Sequence, residues 1–256
     1  MIAQHRLLQI VELTLRAPAL WIAGVLLALL IWLPTSASFF HGLFPAVPHP
    51  VYARASFFEL AFAHCVLVAL SSAVAAIVGI ATAIFVTRPS GRAFFPLANA
   101  IATIGQTIPP VAVLALSVPF LGYGAAPTLV ALVLYAILPI LENTITGIEA
   151  VPIAARDAAT GMGFSPWQML TRIEFPLAWP FILAGLRTSI IINIGTAAIG
   201  SSIGALSLGS PIIEGLSANN PAYVLQGALV VAILAMLVDQ IFGSFTRVAQ
   251  TTQTST

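Results

Sequence analysis

Asp157-Ala-Ala-Thr-Gly161-Met-Gly163-Phe-Ser165-Pro-Trp-Gln168-Met-Leu-Thr-Arg-Ile173-Glu-Phe-Pro176 is the stretch on which the reading of this chain turns. It lies in a polar break, Glu142 to Pro176, in a chain that is otherwise almost continuously apolar. The break carries its own folding signals. Ile153 to Met162 is alanine-rich, follows Pro152, and runs into Gly161 and Gly163, which predicts a short helix with a glycine stop. A second helix is expected at once. Ser165 is a good N-cap, Pro166 suits the first helical position, and Gln168 stands three residues after the serine, so the four residues can close a capping box. Pro176 is expected to end it, because proline has no N–H and disfavours helix in the residue before it. The product is a compact knob of two short helices, with Met162 and Phe164 at the corner and Trp167, Leu170 and Ile173 at helical spacing. These side chains either pack the knob onto its own membrane helices or offer a surface to a partner.

Working outward, 59% of the residues are apolar and 7% charged, and the mean hydropathy is +1.04. These are the values of a membrane protein. A net charge of +1 supplies no basic field for nucleic acid. Six runs reach or approach the roughly 20 residues needed for a crossing: Pro18 to Leu33, Leu60 to Val86, Phe95 to Val118, Ala125 to Leu141, Leu177 to Leu206 and Tyr223 to Phe242. The fold class expected is an all-α membrane protein, a polytopic bundle of about six transmembrane helices. Residues 1–249 read as a single transmembrane domain with the loop 142–176, and 250–256 as a disordered polar tail.

Arginine distribution orients the bundle, since the chain has no lysine. With the N-terminus inside, Arg6, Arg16, Arg88, Arg92, Arg156, Arg172 and Arg247 face the cytoplasm, Arg54 faces outward, and Arg187 lies within a span. That asymmetry obeys the positive-inside rule and puts both termini and the knob in the cytoplasm. The segment from His5 to Ser38 has some features of a signal peptide, with Ser36-Ala-Ser38 as a cleavage site, and an uncleaved first span is the preferred reading.

Several chemistries lack their residues. A phosphate-binding P-loop needs a lysine, and no His-Glu-x-x-His, Gly-x-Ser-x-Gly or Cys-x-x-Cys occurs. Cys65 is the only cysteine, so no disulfide or metal pair forms, and His64 beside it reads as a packed or interfacial residue. The rival reading of an intramembrane enzyme would rest on His64 or Cys65. A proton-coupled transporter would want ionisable groups at mid-depth, where a charge costs at least about 2.5–3.5 kcal/mol. Arg187 and Asp239 are the candidates, and both read better as salt-bridged or snorkelling residues.

Asp157-Ala-Ala, Gly163, Ile173 and Phe175-Pro176 resemble the cytoplasmic EAA loop of permease subunits of binding-protein-dependent ABC importers, whose pattern is Glu-Ala-Ala, three residues, Gly, nine residues, Ile, one residue, Leu-Pro. The spacing agrees throughout. Asp157 stands for Glu and Phe175 for Leu. From Leu60 onward the chain is also similar to the osmoprotectant group of these permeases, importers of glycine betaine, choline, carnitine and related quaternary amines. That likeness rests on Gln106-Thr-Ile-Pro109, Leu121-Gly-Tyr-Gly124, Leu138-Pro-Ile140, Asn143-Thr144, Gly147-Ile148, Gly161-Met-Gly163, Ala184-Gly-Leu-Arg187, Ile203-Gly204, Leu208-Gly209 and Asp239. Glu142 departs from it, at a position where a basic or neutral residue is expected.

The resemblance implies the type I ABC importer permease fold and no catalytic residue, metal or bound cofactor in this chain, with ATP and Mg²⁺ on a partner ATPase. It implies four partners: a cytoplasmic ABC ATPase, a second permease subunit that is a copy or a paralogue, a periplasmic substrate-binding protein, and the bilayer of a bacterial inner membrane. Asp157, Ala158, Ala159, Gly161, Met162, Gly163, Phe164, Trp167, Ile173 and Pro176 would form the ATPase-coupling loop, with Arg156 and Asp157 setting the register of the contact. For the translocation path, Gln106 and Thr107 before Pro109-Pro110, and Asn193, Thr196, Ser201 and Ser202, are the polar candidates. Gly200-x-x-x-Gly204 reads as a close helix contact at the subunit interface. Other small solutes, such as amino acids or sulfonates, and a stand-alone secondary transporter are the alternatives.

Overall fold

The computed structural model describes the backbone of residues 18–253 and the side chains of residues 18–245. These residues form helices and no strand: α1 (Pro18–Trp32), α2 (Ala37–Leu43), α3 (Phe57–Val86), α4 (Phe95–Thr107), α5 (Pro110–Leu121), α6 (Ala125–Glu149), α7 (Ile153–Gly161), α8 (Pro166–Met169), α9 (Phe175–Ala197), α10 (Ser210–Ser217) and α11 (Pro221–Gln253). Five helical stretches are long and apolar enough to span a membrane, and the bent pair α4–α5 makes a sixth. The helix α11 runs on through Gln253, past the expected domain end at 249, while 254–256 lie outside the described residues. Residues 1–17, including Arg6 and Arg16, also lie outside them.

The helix α6 is the mast of the bundle, with α3 and α9 packed along it and α4 and α5 against its flank. In lipid no large hydrophobic force draws helices together, so close packing has to do it. Glycine permits that approach. A Cβ on Gly147 of α6 would stand 2.8 Å from the Phe181 Cβ, and one on Gly185 of α9 would stand 2.8 Å from the Asn143 Cβ and the Pro139 carbonyl. Polar seams add to it. Asn193 of α9 donates to Ser71 Oγ (3.0 Å) and Ser72 Oγ (3.2 Å) of α3, and His64 Nε2 donates to the Ile194 carbonyl at 3.0 Å. His64 is wholly enclosed, as a packed residue should be.

Four expectations change here. The run Phe95 to Val118 is not one straight span: α4 and α5 meet at 95°. Ile108 is extended (φ −69°, ψ 126°) ahead of Pro109-Pro110, which remove two amide donors in succession. The Ile108 carbonyl freed by the break accepts from the Tyr135 hydroxyl. The fourth span extends to Glu149 rather than stopping at Leu141, so the break in the bundle is shorter than the sequence implied. Gly200 does not lie on an α-helix but on a 3-10 segment, Ala198–Ile203, and Gly204 is the residue that caps it. Gly200 is closed against the chain's own Thr128, where a Cβ would come within 2.4 Å, and Gly204 (φ 85°) ends the turn.

Pro176 is the fourth. The helix does not stop there but passes from α8 through a π segment, Leu170–Glu174, into α9, giving one path from Pro166 to Ile203. In the π turn the Phe175 amide reaches back five residues to the Leu170 carbonyl. The wider ring puts Pro176 at the start of a fresh α segment, where a missing N–H costs nothing.

Candidate coupling site

Val151 to Ser165 links α6 to α8 and contains α7. The helix α7 opens after Pro152 (φ −56°, ψ 135°). It closes in a Schellman motif: the Phe164 amide donates to the Ala159 carbonyl (3.0 Å) and the Gly163 amide to the Thr160 carbonyl (2.9 Å). Gly163 occupies the left-handed position at φ 77°. The capping box then starts α8: Ser165 Oγ accepts from the Gln168 amide (3.3 Å) and Gln168 Oε1 accepts from the Ser165 amide (2.8 Å). The corner read from the sequence is therefore present with its full set of bonds.

Its side chains divide sharply. Met162 is 65% exposed and Trp167 71%, and Ile153 is open as well. Asp157, Ala158, Gly161, Gly163 and Pro176 are also exposed, Phe164 and Ile173 are half-buried, and Ala159 is closed. Phe164 lies beneath the Arg172 guanidinium, 6.0 Å from the ring centroid. The knob does not fold Met162 and Trp167 back onto its own helices, which removes the first of the two readings of those residues. They form an apolar surface that no described residue of this chain covers.

Arg156, expected with Asp157 to set the register of a partner contact, turns inward instead. Its Nη2 donates to the Ile148 carbonyl at the end of α6 (2.5 Å), and its Nε stands 3.4 Å from Glu174 Oε1 without hydrogen-bond alignment. Glu174 also accepts from Arg88 Nη2, just beyond the end of α3, at 2.5 Å. At 4% exposure this carboxylate is buried, and two guanidinium groups compensate the desolvation of its charge. Beside the pair a cleft of about 660 Å³ opens between Arg92, Phe95, Glu149, Ile153 and Arg156. Sequence reasoning missed Glu174 and Arg88. The available signal was scarcity: with eight acids in the chain, one set between Ile173 and Phe175 on an apolar helix needs a partner.

The path candidates do not gather around one opening. Gln106, which donates to the Tyr135 carbonyl at 3.4 Å, and exposed Thr107 lie at the α4–α5 break. Asn193 is enclosed between α3 and α9. Ser201 belongs to a serine cluster at the opposite end of the bundle, 2.8 Å from Ser207 Oγ and 3.2 Å from Ser210 Oγ, while Ser202 is exposed and donates to the Ile199 carbonyl. Arg187 and Asp239 form an ion pair at 2.7 Å between α9 and α11, the salt bridge expected of them.

Residues 75–248 match the family described as binding-protein-dependent transport system inner membrane component, and the chain belongs to that family. It is 39% identical over 184 residues to the osmoprotectant import permease protein OsmY of Salmonella typhimurium, covering 72% of this chain and 78% of that one. Over 138 residues it is 44% identical to the glycine betaine/carnitine/choline transport system permease protein OpuCB of Bacillus subtilis, with 54% and 64% covered. Over 181 residues it is 40% identical to the carnitine transport permease protein OpuCD of Listeria monocytogenes, with 70% and 80% covered. An inward-facing structure of the MetNI methionine ABC transporter superposes with a TM-score of 0.68 at 20% identity, covering 77% of this chain and 99% of that one, which shows a shared fold. The chain is a multi-pass permease subunit of an ABC importer, a transport component and not an enzyme. Membership implies an ATPase, a binding protein and a second permease as partners.

Proposed function

We propose that this permease carries an osmoprotectant quaternary amine such as glycine betaine, choline or carnitine across a bacterial inner membrane, driven by a cytoplasmic ATPase that grips the loop Asp157 to Pro176. The observation that carries the coupling half is the uncovered pair Met162 and Trp167 on a corner fixed by Gly163. Large apolar side chains held in a rigid frame are what binding hot spots are made of. Asp157, exposed at the same corner, supplies a rim charge that fixes register. The names of the relatives support the substrate half.

Two copies or paralogues of the permease form the path, a periplasmic binding protein delivers the solute, and both termini face the cytoplasm. Residues 1–249 act as one unit. ATP and Mg²⁺ belong to the ATPase, whose closure pushes the two loops together and shifts the bundle between inward-facing and outward-facing states. Such a shift needs differential affinity for the two states, and ATP supplies it on the partner chain. Gln106 and Thr107, at the break in the third span, are the path residues this reading favours. Asn193, Ser201 and Ser202 would join the path only in another state of the bundle.

Reconstitution tests the reading. Proteoliposomes holding the permease, its ATPase and the binding protein should accumulate labelled choline, betaine or carnitine with ATP, and none without the ATPase. Uptake by the permease alone would show a secondary transporter, and uptake of amino acids or sulfonates in place of amines would refute the substrate class.

A further inference from the structure

We propose that Glu174, gripped by Arg88 and Arg156, is the joint through which α7 moves the membrane helices, which makes Arg156 and Glu174 positioning residues for coupling. The proposal rests on α7 being the element the ATPase grips. A lever transmits force only if it is braced, and α7 has little bracing of its own. Its two ends are non-helical corners, extended at Pro152 and left-handed at Gly163. Along its length only Ala159 is closed, and Met162 beyond it faces away from the bundle. Apolar packing therefore cannot fix the angle of α7.

Arg156 supplies the strut. From the middle of α7 it reaches both the last turn of α6, through the Ile148 carbonyl, and the base of α9, through Glu174. Arg88 ties the same carboxylate to the end of α3. Three side chains thus join four elements, and α3, α6 and α9 are the helices that make up the centre of the bundle. Glu174 lies in the π segment, where the helix is a turn of a different gauge; such bulges occur frequently at functional positions. Burial of Glu174 makes the joint stiff, because separating the charges would leave that carboxylate unpaired away from water. A displacement of α7 is then passed to α3, α6 and α9 together.

The test has two arms on the full chain. Spin labels at Thr160→Cys on α7 and Ser90→Cys beyond α3, in a Cys65→Ala background, report the spread of the α7–α3 distance in nanodiscs. Arg156→Ala should broaden that distribution while leaving the Arg88–Glu174 pair intact, and Arg156→Lys should broaden it less. In the assembled importer Arg156→Ala should raise the ATP hydrolysed per solute imported by about two- to thirtyfold, the range of coupling effects carried by single residues. A purely structural role would lower the thermal midpoint and leave that ratio alone. An unchanged distance distribution overturns the joint, and Glu174→Gln repeats the measurement should Arg156→Ala fail to assemble. A broadened distribution with an unchanged ratio overturns the coupling role; if Trp167→Ala also leaves the ratio unchanged, the failure lies in the lever reading itself.

Discussion

Replacing Gly163 tests the corner with the fewest confounding effects. A Cβ built on Gly163 meets no atom within 4 Å, so substitution causes no clash. What it meets is the backbone: φ is 77°, in the left-handed region. An L-residue there costs roughly 1–2 kcal/mol, a factor of about 5–30 in an equilibrium. Asparagine tolerates that region best and valine, branched at Cβ, worst. Import should therefore fall in the order Gly163, Asn, Ala, Val, with Ala lowering the population of docked loops about 5- to 30-fold at subsaturating ATPase. Gly163→Asp should lie near Asn in backbone cost and add a charge to an apolar contact surface, uncoupling ATP hydrolysis from uptake. Membrane insertion and yield should stay level across the series, since the corner is exposed. The assay is ATP hydrolysed per solute accumulated in proteoliposomes, with ATPase binding followed separately. If Val and Asn behave alike, or all four variants import normally, backbone strain at the corner does not govern coupling.

Other expectations follow from the same geometry. Trp167→Ala should weaken ATPase binding by about 2 kcal/mol or more, as for a hot-spot aromatic, while barely moving thermal stability, because the ring is 71% exposed in the isolated chain; titration and thermal unfolding of one preparation separate the two. Asp239→Asn removes the carboxylate partner of Arg187 and should destabilise the bundle by at most about 2.5–3.5 kcal/mol, the cost of a charge at the centre of a span, whereas the double change Arg187→Leu with Asp239→Leu should be close to neutral, with import retained if the pair is structural and not a proton relay. Asn193→Ala removes two interhelical bonds to α3 and should cost about 0.6–1.7 kcal/mol, read as loss of resistance to unfolding in detergent.

Much of the corner was legible because it is local. Pro152, Gly163, Ser165 and Gln168 act within four or five residues of themselves, and each produced the bond its chemistry calls for. The spans were legible from apolar length alone. The limits of that reading were tertiary. Pro176 looks like a stop only while the helix is assumed to be α; a π turn can carry the chain through it. Pro109-Pro110 disfavours a continuous helix, but the partner of the carbonyl freed at the 95° bend, Tyr135, lies 27 residues from Ile108. Gly200 and Gly204 matched a helix-packing spacing on a segment that is not an α-helix. Glu174 found its partners 86 and 18 residues away, at Arg88 and Arg156, separations that no local pattern encodes. The path candidates stayed dispersed because their partners lie on different elements: Gln106 bonds to α6, Asn193 to α3, and Ser201 to Ser207 and Ser210.

The central claim is that the corner at Gly163 is a cytoplasmic handle held by a separate ATPase. Its most direct measurement is a single cysteine at Met162→Cys in a Cys65→Ala chain, assembled with its ATPase in sealed vesicles of known orientation. The account predicts that this cysteine reacts with a membrane-impermeant maleimide only from the cytoplasmic face, is shielded when the ATPase binds, and cross-links to that chain. Labelling from the opposite face, or equal reactivity with and without bound ATPase, would contradict it.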